Sequence, residues 1–423
     1  MNAYRAILAA KGWEIRGALR SLRSESRLKT LVLATAMAGL FASMLWFAGL
    51  GLHYLRAESY YSSLRVYVHQ VAFQVFFFSL GVMLLLSALL TSHAMLFRSR
   101  VTPFLLSHPV PPQVVTAARL AEAGAISTWA FLYLSFPLLL AYAIEEGGGL
   151  PLVALGGASL FLFAAVPVGI AGVLALALGL GTGRTRLAFW GVVLACTLAL
   201  GAAIGPMATW RTWLSGVERE AVFQLLDRFS MTQHPLMPST WLSHAWMRAS
   251  HGDLGIAAFY VATLASWGIF ALALAVSFGG RVLLSARSRV VSGRTARGTP
   301  VRDLLVRMSR PVMRVLGGPH APLLEKDFRV FLRDPAQWAQ FLIFVGLLAI
   351  YFVNIRRIGG LREEAGWRAL VATLNFAATS LTLCTFTSRF VVPMISLEGR
   401  RFWVLGLMPL SRTGILRSKF VLS

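Results

Sequence analysis

Charge, and acidic charge above all, is what this sequence has least of. Only 13% of its 423 residues are Asp, Glu, Lys or Arg, about half the share in a soluble globular domain. Hydrophobic residues make up 57% and mean hydropathy is +0.67. A water-facing surface cannot be built from that composition, which excludes an ordinary soluble domain and implies a multi-pass membrane protein. Acids number 17 against 40 Lys plus Arg, a net charge of +23. In a soluble chain this excess would point to nucleic acid. In a membrane chain, cationic loops held on the cytoplasmic side account for it, and no nucleic-acid partner is needed. The two cysteines, Cys196 and Cys384, lie far apart inside apolar runs. That excludes a disulfide framework and a cysteine zinc site, and leaves both as small core residues.

Catalytic and nucleotide-binding signatures are missing too. No GxxxxGK[ST] loop occurs; GLGTGRTR, Gly179 to Arg186, lacks the lysine and reads as a short inner turn. HExxH, GxSxG and paired-cysteine spacings are absent. His234, His244 and His251 follow no metal-ligand spacing, so no metal is expected. Carboxylates that mark proton- or sodium-driven carriers are absent from the centres of the apolar runs, Glu122 lying at the inner end of the third. No apolar core follows the first basic residues, so no cleaved signal peptide is read. These absences point to a chain with no enzymatic activity and no cofactor of its own. A membrane-embedded enzyme acting on lipids would need catalytic His, Asp or Glu converging at one membrane face, and the acids are scattered. That enzyme and a secondary carrier stay open as alternatives.

What the sequence does have is long apolar runs. Eight are long enough to cross a hydrocarbon core that takes about 20 residues of helix: 30–52, 70–91, 123–144, 152–180, 187–206, 254–278, 338–355 and 369–392. The expected fold is therefore all-α, a polytopic transmembrane helical bundle. With the N-terminus cytoplasmic, about three quarters of the 40 Lys plus Arg fall in inside segments while the acids divide almost evenly, as the positive-inside bias requires.

Segments between the runs carry their own patterns. In 1–29, Arg16, Arg20, Arg23 and Arg27 recur at helical spacing opposite Ile15, Leu19 and Leu22, an amphipathic segment for the inner leaflet. In the outer segment 207–253, Trp210, Trp213, Trp241 and Trp246 suit a headgroup-level aromatic belt. Its QHPLMPSTWLSHAW part predicts a turn and a short helix capped near Ser239. The inner segment 279–337 begins Arg-, Ser- and Gly-rich without a long apolar stripe, reading as a mobile linker. It ends in an interfacial helix with Leu324, Phe328, Phe331 and Leu332 on one face and Lys326, Asp327, Arg329 and Arg333 off it. Asp334, Pro335 and Gln337 then form the start of the seventh span.

The two ends of the chain also resemble each other. With Pro109 set on Pro409, Leu105 falls on Leu405, Val115 on Ile415, Arg119 on Lys419 and Leu120 on Phe420 without a gap. Each motif, 97–120 and 395–420, follows a surface helix and two spans. This reads as a two-fold internal repeat: a six-helix half at 30–278, and at 338–423 the start of a second half, which is expected to be incomplete. The eighth span is flecked with hydroxyls, and Asn375, Thr379 and Thr382 share one helix face; Gln70 and Gln74 pair similarly in the second span. Both groups are candidate path-lining residues, with hydrogen bonding between packed helices as the alternative.

The runs EKDFRVFLRDPAQW, HPLMPSTW and above all ISLEGRRFWVLGLMPLSR resemble the bacterial exporter permeases of the ATP-binding-cassette type-2 class. The resemblance covers most of the chain. It implies a membrane subunit of the cytoplasmic membrane that moves a substrate on ATP bound and hydrolysed by a separate ATPase subunit, so that its partners are that subunit and the lipid bilayer. It further implies that Glu398, Gly399, Arg400, Arg401, Phe402 and Trp403, with the surroundings of Pro109 and Pro409, contact the ATPase. Prolines for a rigid turn, with aromatic and Arg anchors, suit such a docking element.

Overall fold

A computed structural model describes residues 9–14, 16, 17, 20, 26–57, 62–181, 234–293, 300–333, 376, 379, 380, 382–385, 387, 388, 407 and 411–422. The described residues are helical apart from short turns, and include no strand. They fall in two compact units, one holding 9–181 with 234–293 and the other beginning at 300. Of the expected spans, 187–206 and 338–355 lie outside the described residues, as does most of 369–392.

The first unit contains α1 (Arg27–Ala57), α2 (Ser62–His93), α3 (Val101–Leu106), α4 (Pro112–Glu146), α5 (Gly149–Leu180), α6 (Pro238–Ser250) and α7 (Leu254–Gly293). Among the described residues five helices are long and apolar enough to cross a membrane, running Arg27–His53, His69–Arg98, Pro112–Glu146, Gly149–Leu180 and Leu254–Val290. Their outward surface is apolar: Leu28, Leu31, Leu33, Trp46 and Phe47 of α1 and Phe259, Ile269 and Phe270 of α7 are all exposed. Such a surface is tolerated in lipid and would aggregate in water.

α5 is apolar all round and is the central helix, with Gly156, Leu160, Phe163, Ala164, Gly172 and Leu176 buried along it. Helices apolar on every face belong in a core. α7 lies along it at a distance only glycine permits: a Cβ on Gly169 would stand 2.6 Å from the Ala271 carbonyl carbon, and one on Gly279 2.4 Å from Thr116 Cγ2 of α4. Pro137 and Pro167 sit inside α4 and α5 and are buried, as packed membrane helices allow.

At one end of this unit, the aromatic end, the short helix α6 is folded in among α2, α5 and α7. Trp246 is fully buried, with ring centroids 4.9 Å from Phe77 and 5.6 Å from Phe73. Its Nε1 donates to Ser159 Oγ at 3.2 Å, and Tyr142 and Ser250 share a hydroxyl hydrogen bond of 3.0 Å. The aromatic-belt expectation is thus wrong for Trp246 and for Trp241, which is 8% exposed: both are core residues. The helix begins where expected, but Met237 and Pro238 start it and Ser239 is buried without capping. Proline at the first position needs no side-chain acceptor for its own nitrogen.

The mobile-linker expectation for 279–293 also fails. α7 continues through it, because Leu283, Ala286 and Val290 recur at helical spacing and are buried. At this Arg-rich end, Arg287 Nη1 donates to the Leu96 carbonyl at 3.0 Å and Arg289 Nη1 to the Leu180 carbonyl at 2.9 Å. Each guanidinium satisfies a carbonyl at the end of a neighbouring helix, where the backbone dipole favours a cation.

The second unit holds two amphipathic helices, α8 (Pro300–Gly317) and α9 (Ala321–Arg333), and the later α10 (Arg412–Leu422). Val306 and Met313 of α8 and Leu323 and Leu324 of α9 are buried, so the expected interfacial helix packs against an unexpected helix drawn from the supposed linker. Glu325 joins the pair, accepting from Arg310 Nη2 at 2.9 Å and Nε at 3.1 Å, and from Arg329 on its own helix. Cys384 is exposed, not a core residue.

Two outcomes follow. Replacing Trp246 by Ala should cost about 3–5 kcal/mol, seen as a lower unfolding midpoint of the detergent-solubilised chain, with Trp246→Phe intermediate. The hydrogen bond from Arg310, then that from Arg329, holds the Glu325 carboxyl below its ordinary 4.5 despite partial burial. A depressed carboxyl contributes stability above the unfolded value and loses it as pH falls through the folded one. The small Tm advantage of the native chain over Glu325→Gln, present at pH 7, should shrink as pH drops below 4.5.

Candidate functional site

The segment that connects α2 to α4 is built from a sequence of local bonds. α2 ends in a π-helical turn, Ala94–Arg98, with Leu96 and Phe97 buried. Ser99 N closes it by donating to the Ala94 carbonyl at 3.0 Å. Ser99 Oγ then accepts from Val101 N at 3.2 Å, starting α3, and the fully buried Thr102 donates to the Met95 carbonyl at 2.7 Å. α3 is therefore pinned to the end of α2 by one face. Its other face is open, with Val101 46% and Phe104 60% exposed.

After α3 the chain turns tightly. Ser107 Oγ and His108 Nδ1 both reach the Phe104 carbonyl at 2.8 Å, and the Phe104 and His108 rings lie 4.6 Å apart. Pro109 is exposed at the apex, Val110 N bonds back to the His108 carbonyl at 2.7 Å, and Pro111 and Pro112 start α4. What the sequence offered as one inner loop, 97–120, is thus a short helix, a proline-stiffened turn and the first turns of a long helix. Locked φ angles and carbonyls already bonded leave this turn little freedom. It presents Val101, Phe104 and Pro109 beside Arg98 and Arg100: an apolar, aromatic and cationic surface.

Charged residues secure its base. Arg119 of α4 is buried, and its Nη1 lies 2.6 Å from Glu122 Oε2. Glu122 Oε1 in turn lies 2.8 Å from Lys11 Nζ, on the helical residues 9–14. Lys11 also pairs with Glu14. Burial works to lower the Lys11 pKa, but hydrogen bonds to Glu122 and Glu14 outweigh it and hold the ammonium above its ordinary 10.5.

The other expected site residues divide into three groups. Gln70 lies 3.5 Å from His244 Nε2 at the aromatic end, and Gln74 is fully buried one turn further in, so that pair faces packed helices. Thr379 and Thr382 are helical, the first exposed and the second half-buried. Asn375, Glu398, Gly399, Arg400, Arg401, Phe402, Trp403 and Pro409 lie outside the described residues. Sequence reasoning passed over Phe104, Arg287 and Arg289. The stripe Leu283, Ala286, Val290 was the signal that would have placed both arginines on a helix.

Five apolar helices, an apolar outer surface and a stiff cationic turn define a helical protein compatible with a membrane. Residues 21–423 match the family described as "Putative ATP-binding cassette", and the chain belongs to this family of ATP-binding-cassette transporters. No curated protein and no solved structure matches it.

Arg287 should hold the start of this turn in place. Arg287→Met keeps the stem but orphans the Leu96 carbonyl, at a cost of about 1–3 kcal/mol. Hydrogen exchange over residues 94–106 of the full chain should accelerate, while exchange at the aromatic end, including 238–250, stays unchanged.

Proposed function

We propose that the chain is the membrane-spanning permease subunit of an ATP-binding-cassette transporter, an exporter powered by ATP that a separate subunit binds and hydrolyses. One observation carries this: a member of an ATP-binding-cassette family that contains no phosphate-binding loop in these residues but five apolar helices. The nucleotide chemistry then belongs to a partner, and this chain supplies the path. On this reading the chain crosses the cytoplasmic membrane eight times from a cytoplasmic N-terminus, and the Arg-rich end faces the cytoplasm. The charge distribution supports that orientation. Docking on the ATPase falls to the stiff turn around Pro109, with Val101 and Phe104 beside it, and to the related 395–420 motif with Glu398, Gly399, Arg400, Arg401, Phe402, Trp403 and Pro409. Gln70, Gln74, Asn375, Thr379 and Thr382 are the path-lining candidates, and no metal, nucleic acid or cofactor of its own enters the scheme.

The tagged chain purified from its native cells should bring down a P-loop ATPase. Phe104→Asp, and separately Arg400→Glu with Arg401→Glu, should each lower recovery of that ATPase at least about tenfold, as loss of interface anchors does, while membrane insertion persists. Undiminished recovery in both variants would remove the docking assignment. An ATPase activity intrinsic to the purified chain alone would remove the division of labour.

A further inference from the structure

Two charged clusters, one in each unit, each set one acid between two bases, with opposite wiring. In the first, Glu122 stands between Lys11 Nζ at 2.8 Å and Arg119 Nη1 at 2.6 Å. Lys11 belongs to the N-terminal helical segment, and both Arg119 and Glu122 to α4, the helix that leaves the first motif. In the second, Asp327 stands between Lys419 Nζ at 2.7 Å and Lys326 Nζ at 3.1 Å. Here the acid is on α9, and Lys419 is on α10, the helix that leaves the second motif. One cation of each cluster is enclosed, the Arg119 side chain being 3% exposed and that of Lys419, like Asp327, 8%, whereas Lys11 and Lys326 keep 32% and 37% of theirs exposed.

Sequence register relates them. Arg119 falls on Lys419 when Pro109 is set on Pro409. The surface segments align at an offset of their own, 315 residues rather than 300, which sets Ala6, Leu8, Lys11 and Trp13 on Ala321, Leu323, Lys326 and Phe328 without an internal gap. Both cationic positions therefore occur in both halves, and only the acid changes element. In the first half it lies one turn after Arg119, where the second half has Leu422. In the second it follows Lys326 directly, where the first half has Gly12, and a Cβ built on Gly12 meets nothing within 4 Å. In each pair the enclosed cation, Arg119 or Lys419, loses hydration and is repelled by the second cation unless an acid stands between them. That electrostatic demand is met equally well by an acid from either helix, so its place can differ while the arrangement survives.

We infer that each half carries one basic–acid–basic clamp, Lys11–Glu122–Arg119 in the first and Lys326–Asp327–Lys419 in the second, and that each clamp fastens a surface helix to the base of the helix leaving its motif. These six are positioning residues. Their role in coupling rests on the docking reading above: a displacement of either motif is passed jointly to the surface helix and the following helix, with no loose joint to absorb it. The clamps themselves do not depend on that reading.

The test moves the acid. In the full chain held in detergent without any ATPase, Asp327→Asn should raise hydrogen exchange over 321–333 about tenfold or more, since removing the acid strands the enclosed Lys419. Adding Leu422→Glu to it should bring exchange back to within about threefold of the native chain. Glu122→Leu should free residues 9–14 in the same way, and adding Gly12→Asp should restore them. Unchanged exchange in the single variants, or no recovery from the relocated acids in a chain that stays helical and monodisperse, would overturn the inference. Should the single variants not accumulate, accumulation of the relocated-acid variants supports it, and their absence counts against it. Loss of ATPase recovery from a chain whose clamps remain protected would bear on the docking proposal alone.

Discussion

The close approach of α7 to α4 and α5 is the constraint on which the first unit depends. Glycine at 169 lets α5 backbone meet α7 backbone, and glycine at 279 admits the Thr116 side chain, where any Cβ would collide. In lipid no hydrophobic force drives helices together, so short separations and the dispersion contacts they allow take its place. Because α7 is held so near, its far portion remains helical beyond the apolar run and carries Arg287 and Arg289 to helix-end carbonyls of two neighbours. The turn at 99–111 inherits its position from those bonds. Loosening the helix contact would therefore be felt at a surface that makes none of it.

The unit has two ends of unlike chemistry. At the aromatic end α6 fills the space among three long helices, and its two indole N–H groups are satisfied locally, Trp246 by Ser159 and Trp241 by the Pro235 carbonyl at 2.7 Å. At the Arg-rich end cations spend their donors on helix-end carbonyls and on Glu122, leaving an apolar and aromatic face at Val101 and Phe104. One end is closed by packing. The other is closed by charge and keeps a face open.

Five of the eight apolar runs are matched by described helices, and they were legible because a membrane helix must satisfy its backbone internally and present apolar side chains for some twenty residues. All five helices extend past the runs that announced them, furthest in α4, which begins at Pro112, and α7, which ends at Gly293. These extensions are amphipathic, and hydropathy alone does not mark them. Trp246 was misread because a tryptophan between spans suits both an interface and a core, and only α6 folding inward decides. Pro109 was placed at an exposed turn by local chemistry that a sequence states well, whereas the exposure of Phe104 beside it depends on Thr102 being drawn to the Met95 carbonyl. The partners of Glu122 and Asp327 could not be read from sequence, since Lys11 and Lys419 come from segments far along the chain. The LEGRRFW run, the most specific part of the resemblance, lies outside the described residues.

α7 has a further geometric meaning. Its 40 residues make a rod about 60 Å long at 1.5 Å per residue, roughly twice the hydrocarbon thickness of a bilayer. A rod of that length turns angle into distance: a tilt of about 5° near the aromatic end sweeps the opposite tip through about 5 Å, close to one helical turn. Packing changes too small to disturb the aromatic cluster therefore arrive at the arginines as displacements comparable to the length of a side chain.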